Sequence, residues 1–184
     1  MNSKRCFPNK PDKLYEDYHD KEWGKLNLES KYLYEMLVLE SFQSGLSWST
    51  ILHKRENFKH DFANWDYEAV AKFSDDDFKK LMNDPGIVRN KMKINAAINN
   101  ASALVKLEQK YGSFAKFLKK FIPEPIINHP QNINDWVSQD SHSQAIAKAL
   151  KSEGFKFVGP VTIYSFLQAI GLINDHLEGC PAKY

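Results

Sequence analysis

Helix punctuation constrains this chain more than any other feature of its sequence. Caps and breakers divide it into segments with apolar residues three and four apart. No segment alternates apolar and polar residues as a half-buried strand does. Residues 30–44 open at Ser30, a candidate N-cap, and stop at Gly45. Leu33, Met36, Leu37 and Glu40 fall on one face of that helix. A short helix is predicted after Asp66. Another follows Ser74, which has the spacing of a capping box with Asp77. Pro85 and Gly86 break that helix. A long helix is predicted from Asn90 to Tyr111, closed by Gly112, and a further one over 113–121, stopped near Pro123. Helices resume at about 142–152 and 160–172, with Pro160 suited to a first helical position after Gly159. Residues 123–140 carry three prolines and little periodicity. A loop of that length in a compact domain usually serves a function.

The predicted fold class is therefore all-α. The 184 residues fit a single domain, 1–184, large enough to bury a core without disulfide staples. Two cysteines make no disulfide framework, and the N-terminus lacks the apolar stretch of a secretory signal. No apolar run approaches the roughly 18 residues of a membrane span, so the expected location is the cytoplasm. A net charge of +2 permits a polyanionic partner without requiring one.

Glu40 is the first residue whose chemistry needs explaining. It sits on the apolar face of its helix, where an unpaired carboxylate is costly. Tyr15, Tyr18, Trp23, Tyr32, Tyr34 and Trp48 lie nearby in sequence. Such a set could line a pocket for a flat cation, which gains from a negative charge and from π-faces. The alternative is a structural Glu satisfied by backbone donors at a neighbouring helix start.

Cysteine and histidine recur at the two ends of the chain: Cys6 with His19, and His176 with Cys180. If residues 176–180 were helical, His176 and Cys180 would share a face. Together the four offer the donors of a closed, structural Cys2His2 zinc site. The alternative is two inert thiols and two surface imidazoles. The turn at Pro85-Gly86 offers a third constellation. Arg89, Lys91 and Lys93 follow it, beside the backbone N–H groups of a helix start. Those groups could hold nucleic-acid phosphates without reading sequence. The alternative is an ordinary helical hairpin with a solvated charged face.

The order of these features carries further than any one of them. "YEDYHDKEWG", "LESFQSGLSW", "GFKFVGPVTIYSFLQAIGLINDH" and the closing Cys180 resemble the 3-methyladenine DNA glycosylase I family, from about Arg5 to Cys180. The resemblance implies the all-helical fold of the helix-hairpin-helix DNA glycosylase superfamily, with that element at about residues 75–100. Gly86, Arg89 and Lys91 would then meet DNA at the hairpin. It implies one structural Zn2+ held by Cys6, His19, His176 and Cys180, clasping segment 6–19 to segment 176–180. It implies that Glu40 is the lesion-binding carboxylate, with Tyr18 as its partner, Trp48 stacking on the base, and Tyr15 and Trp23 completing the pocket.

The implied activity is hydrolytic removal of 3-methyladenine from alkylated double-stranded DNA. The base is flipped out and an abasic site remains, with no lysine nucleophile and no nucleotide cofactor. A monomer is expected. Ser41, Ser44, Lys119 and Val161 depart from residues common in the family, at pocket walls and the DNA surface. Three alternatives stand beside this reading. One is a broader glycosylase acting also on methylated guanines, one a zinc-containing module that binds damaged DNA without excision, and one an interaction domain with no DNA role. Glu40 favours adenine over guanine, because adenine presents an exocyclic amine where guanine presents a carbonyl.

Overall fold

The computed structural model describes residues 5–7 and 12–184. Among them the chain forms α1 (Lys13–Lys21), α2 (Ser30–Gln43), α3 (Trp48–Asp61), α4 (Tyr67–Val70) and α5 (Asp75–Asn83). These are followed by α6 (Lys91–Tyr111), α7 (Phe114–Lys119), α8 (Ser141–Ser152) and α9 (Pro160–Ala169). Short 3-10 turns stand at Ala63–Trp65 and Ile133–Asp135.

Local chemistry accounts for most of the boundaries. Ser74 and Asp77 make the reciprocal capping box at the start of α5. The Asn90 side chain caps α6, and Gly112 ends it in the left-handed conformation at φ 87°. Pro160 opens α9 after Gly159. One cap differs from expectation. Ser30 is the first helical residue of α2, and the Glu29 carboxylate accepts from Tyr32 N at 2.8 Å instead. An acid at a helix N-terminus is favoured by the helix dipole as well as by the bond.

Two elements escape the apolar spacing. In α3 only Ile51, Leu52 and Phe58 are buried, too few to print a stripe. Helix α1 buries Tyr15, Tyr18 and His19, residues with polar ends. The all-α expectation also needs a small correction. β1 (Ile126–Ile127) pairs in parallel with β2 (Ile173–Asn174), Ile126 opposite Ile173. Two residues are too few for a period of two to show, yet the pair ties the long loop to the C-terminal segment.

Helix α2 is the axis of the main core. Every residue from Leu33 to Phe42 is buried, so the helix has no wet side. The single apolar stripe read from sequence understated this: a helix enclosed all round leaves any charge on it to be satisfied inside. Around α2 pack α3, α6, α7 and α9. Each fully buried Leu or Phe of this cluster contributes about 1.5–3 kcal/mol. A second, smaller cluster joins the chain ends: Cys6, Tyr15, Tyr18 and Trp23 with Leu52, Leu177, Cys180 and Ala182. The candidate site lies where the two clusters meet, with Trp48 packed against both.

Candidate active site

The end of α2 opens into a cavity of about 220 Å³. Glu40 and Gln43 reach it from α2, Tyr15 and Tyr18 from α1, and Trp23 from the turn after α1. Trp48 enters as the first residue of α3. The Ser47 hydroxyl caps that helix through Thr50 N at 3.1 Å, which fixes where Trp48 begins. The Tyr18 and Trp48 rings stand 5.0 Å apart, tilted by 47°. All five residues expected in a base pocket are thus brought together.

Glu40 is 6% exposed, and its Oε2 is buried without a hydrogen-bond partner among the described residues. The alternative of a Glu satisfied by backbone donors therefore fails for that oxygen. Burial pushes the carboxyl up to about 8. Burial, and then the Glu40 charge, also push the phenols up, Tyr15 to about 12 and Tyr18 well above its usual range. The Trp48 indole N–H is likewise buried and unpaired. A cavity holding an unsatisfied carboxylate among aromatic rings is built for a ligand, since a void of that kind is costly when empty.

The sequence reading did not assign four other walls. Phe7 packs edge-on to Tyr15 and lies 5.3 Å from Trp136. Trp136 comes from the 123–140 loop and is held by its indole N–H donating to Asp175 O at 2.8 Å. Ser165 and Gln168 face the cavity from α9. Their signal was present as polar residues three apart, Thr162, Ser165 and Gln168, in a mostly apolar helix. Trp136 left none, because its side chain meets Phe7, Trp23 and Asp175, all distant in sequence.

A second buried carboxylate was also missed. Glu35 lies on α2 and accepts from Arg55 Nε at 2.7 Å, while Arg55 bonds both oxygens of Glu22 at 2.9 Å. Burial raises the Glu35 carboxyl and Arg55 pulls it back down.

The chain ends converge beside the cavity. Cys6, His19 and Cys180 are buried, with ligand atoms within 4.8 Å of one another, a group that could hold a metal ion. Residues 176–180 are a turn, not a helix, with Cys180 N donating to Leu177 O. His176 is brought in by that turn and not by a helical face. Its ring is 4.8 Å from that of His19, and its Nε2 lies 3.4 Å from the His19 carbonyl, outside the three-residue group. Gly24 makes room for it: a Cβ there would stand 2.9 Å from the His176 ring. The Cys6 thiol is pushed up to about 12, chiefly by burial, and His176 is held down near 4 by the same cause.

At the hairpin between α5 and α6, Arg89 and Lys91 are exposed and make no ion pair or hydrogen bond among the described residues. Lys93 does not join them. It is buried and donates to Phe42 O at 2.9 Å and Ser44 O at 2.6 Å, capping the C-terminus of α2. The expected free N–H groups are also engaged: Asn90 Oδ1 takes Met92 N and Lys93 N, and Asp84 Oδ1 takes Gly86 N. Gly86 instead permits a close turn, where a Cβ would meet Asp84 and Asn57 at 2.8 and 2.9 Å.

A family model described as methyladenine glycosylase matches residues 8–184. The chain belongs to the methyladenine glycosylase family. Among its relatives in this family, DNA-3-methyladenine glycosylase 1 of Escherichia coli is 44% identical over 177 residues, 96% of this chain and 95% of that protein. The Haemophilus influenzae DNA-3-methyladenine glycosylase is 39% identical over 171 residues, 92% of each chain. A solved 3-methyladenine DNA glycosylase I from Staphylococcus aureus, determined for the structural basis of 3-methyladenine recognition, superposes with a TM-score of 0.95. It shares 39% identity and covers 100% of this chain and 98% of its own.

Proposed function

We propose that this chain is a single-domain, monomeric DNA-3-methyladenine glycosylase, which hydrolyses the bond between 3-methyladenine and deoxyribose and leaves an abasic site. The observation that carries the reading is the unpaired Glu40 carboxylate in an aromatic cavity. While attached to the sugar, 3-methyladenine is a flat cation. Once flipped out of the duplex it meets the Glu40 charge with Tyr18 beside it, and Trp48 offers a π-face. Ionising Glu40 is unfavourable in the empty pocket and favourable once the cation is there.

The positive charge already weakens the glycosidic bond, because the base leaves neutral. The chain needs to hold the flipped nucleotide while water adds to the oxocarbenium-like sugar, which carboxylate and phosphate charge stabilise. Arg89 and Lys91 supply sequence-independent attraction to the DNA backbone, with the Gly86 turn at the hairpin.

Zn2+ fits the Cys6, His19, Cys180 group with His176 as a fourth donor. The His19 Nδ1 lies 2.7 Å from Asp20 Oδ1. Asn174 Nδ2 donates to Lys183 O, so its Oδ1 faces His176 Nδ1 as an acceptor at 2.8 Å. Each ring thus donates through Nδ1 and keeps a lone pair on Nε2, the tautomer a metal needs. The ion would supply a cross-link between the chain ends, with no open position for chemistry.

The test is chromatography of free bases released from methylated duplex DNA. Release of 3-methyladenine supports the reading. Release of 7-methylguanine at a comparable rate makes the chain a broader alkylpurine glycosylase. DNA binding with no release makes it a binding module.

A further inference from the structure

Asp175 lies behind the cavity wall formed by α9. It is buried and, among the described residues, has no Lys or Arg partner, yet it is engaged by neutral donors. Asn128 Nδ2 donates to its Oδ1 at 2.6 Å. The Tyr164 hydroxyl and Gln168 Nε2 both donate to its Oδ2 at 2.7 Å. Its backbone carbonyl holds the Trp136 indole, so two walls of the cavity hang on this one residue.

The consequence for Gln168 is directional. A carboxylate only accepts, so the nitrogen of the Gln168 amide must face Asp175. Turning the amide over would set its oxygen against the carboxylate. The oxygen that remains, Oε1, makes no hydrogen bond among the described residues and is not among the buried unpaired atoms. It is therefore open to the cavity that Gln168 lines. A freely rotating glutamine serves a donor or an acceptor equally well. A locked one serves a single kind of partner.

We infer that Asp175 is a positioning residue that locks the Gln168 amide with its carbonyl toward the cavity, making Gln168 an acceptor-only contact that selects purines with an amine, and not a carbonyl, at the 6-position. The inference rests on the base-excision reading above. Glu40 and Gln168 then present two acceptors to one base, which suits an amine with two N–H groups. A guanine-type carbonyl meets two sets of lone pairs.

The experiment compares release of 3-methyladenine and 3-methylguanine from the same methylated DNA by wild type, Gln168→Met, Asp175→Leu and Asp175→Asn. Gln168→Met is expected to lower kcat/KM for 3-methyladenine about five- to tenfold, the size of one lost hydrogen bond. It should lower it far less for 3-methylguanine, so the selectivity ratio falls. Asp175→Leu frees the amide and should shift the ratio the same way. Asp175→Asn keeps an oxygen toward Gln168, because Asn128 is free to flip and accept from the new amide, so it should restore the wild-type ratio. An unchanged ratio in Gln168→Met overturns the inference even if Asp175→Leu does not fold. A ratio in Asp175→Asn as low as in Asp175→Leu overturns the lock. If wild type releases neither base, the excision reading itself fails.

Discussion

Helix α2 carries two carboxylates into the interior and treats them in opposite ways. Glu35 meets the Arg55 guanidinium, which Glu22 holds from the other side, and the three form a closed ionic network. Among the described residues Glu40 has no cation, and its buried Oε2 has no hydrogen-bond partner. Both groups are raised by burial, but only Glu35 is pulled back by a counter-charge. One carboxylate is satisfied by the protein and holds α1, α2 and α3 together. The other is left for a partner from outside. A buried acid is therefore no sign of function by itself; what sets Glu40 apart is an unpaired oxygen in a cavity lined by aromatic rings.

The largest effect expected is one that strikes both sites. Helix α1 carries His19 to the proposed zinc clasp and Tyr18 to Glu40, and Glu22 caps its end beside Arg55. Cys180→Ser should reduce bound zinc and cost about 4 kcal/mol, read as metal content and thermal unfolding. Full zinc occupancy in that variant would remove Cys180 from the clasp. Arg55→Ala separates the two carboxylates. It strands Glu35 and should cost about 3 kcal/mol in denaturant unfolding, while excision per folded molecule stays within a few-fold of wild type. A loss of excision with stability intact would merge the two sites into one.

Glu40 carries a pH signature of its own. It binds its proton more tightly folded than unfolded, so stability falls as pH rises from near 4.5 to about 8, at roughly 1.4 kcal/mol per unit. Glu40→Gln should abolish that slope and make the protein about 2 kcal/mol more stable than wild type at pH 6. Parallel melting curves of the two proteins between pH 5 and pH 8 would refute this. Smallest is Arg89→Ala, at an exposed side chain on the hairpin before α6. It should weaken binding to damaged and undamaged DNA alike by about 1 kcal/mol and lower the salt slope by about one. An effect confined to damaged DNA would place Arg89 at the base.

What the sequence disclosed follows the range of the interaction. The Ser74–Asp77 box, the Asn90 cap and the Gly112 stop are written within a few residues, and each is found in the structure. Glu40 was legible because a charge interrupts an apolar helix, and its aromatic partners because all four lie in two short stretches. Arg55 was not, because nothing local links it to Glu35 or Glu22. Trp136 and Gln168 depend on Asp175, which is distant from Trp136 in the chain and reaches both through the turn after β2. Lys93 read as one of three surface cations, and only the position of the end of α2 reveals it as a buried cap.

The most direct measurement is single-turnover excision of 3-methyladenine by Glu40→Gln and Glu35→Gln, each corrected for its folded fraction. The account predicts a loss of about 100-fold or more for Glu40→Gln in a well-folded protein, and only a few-fold loss for Glu35→Gln in a less stable one. Wild-type excision by Glu40→Gln would contradict it.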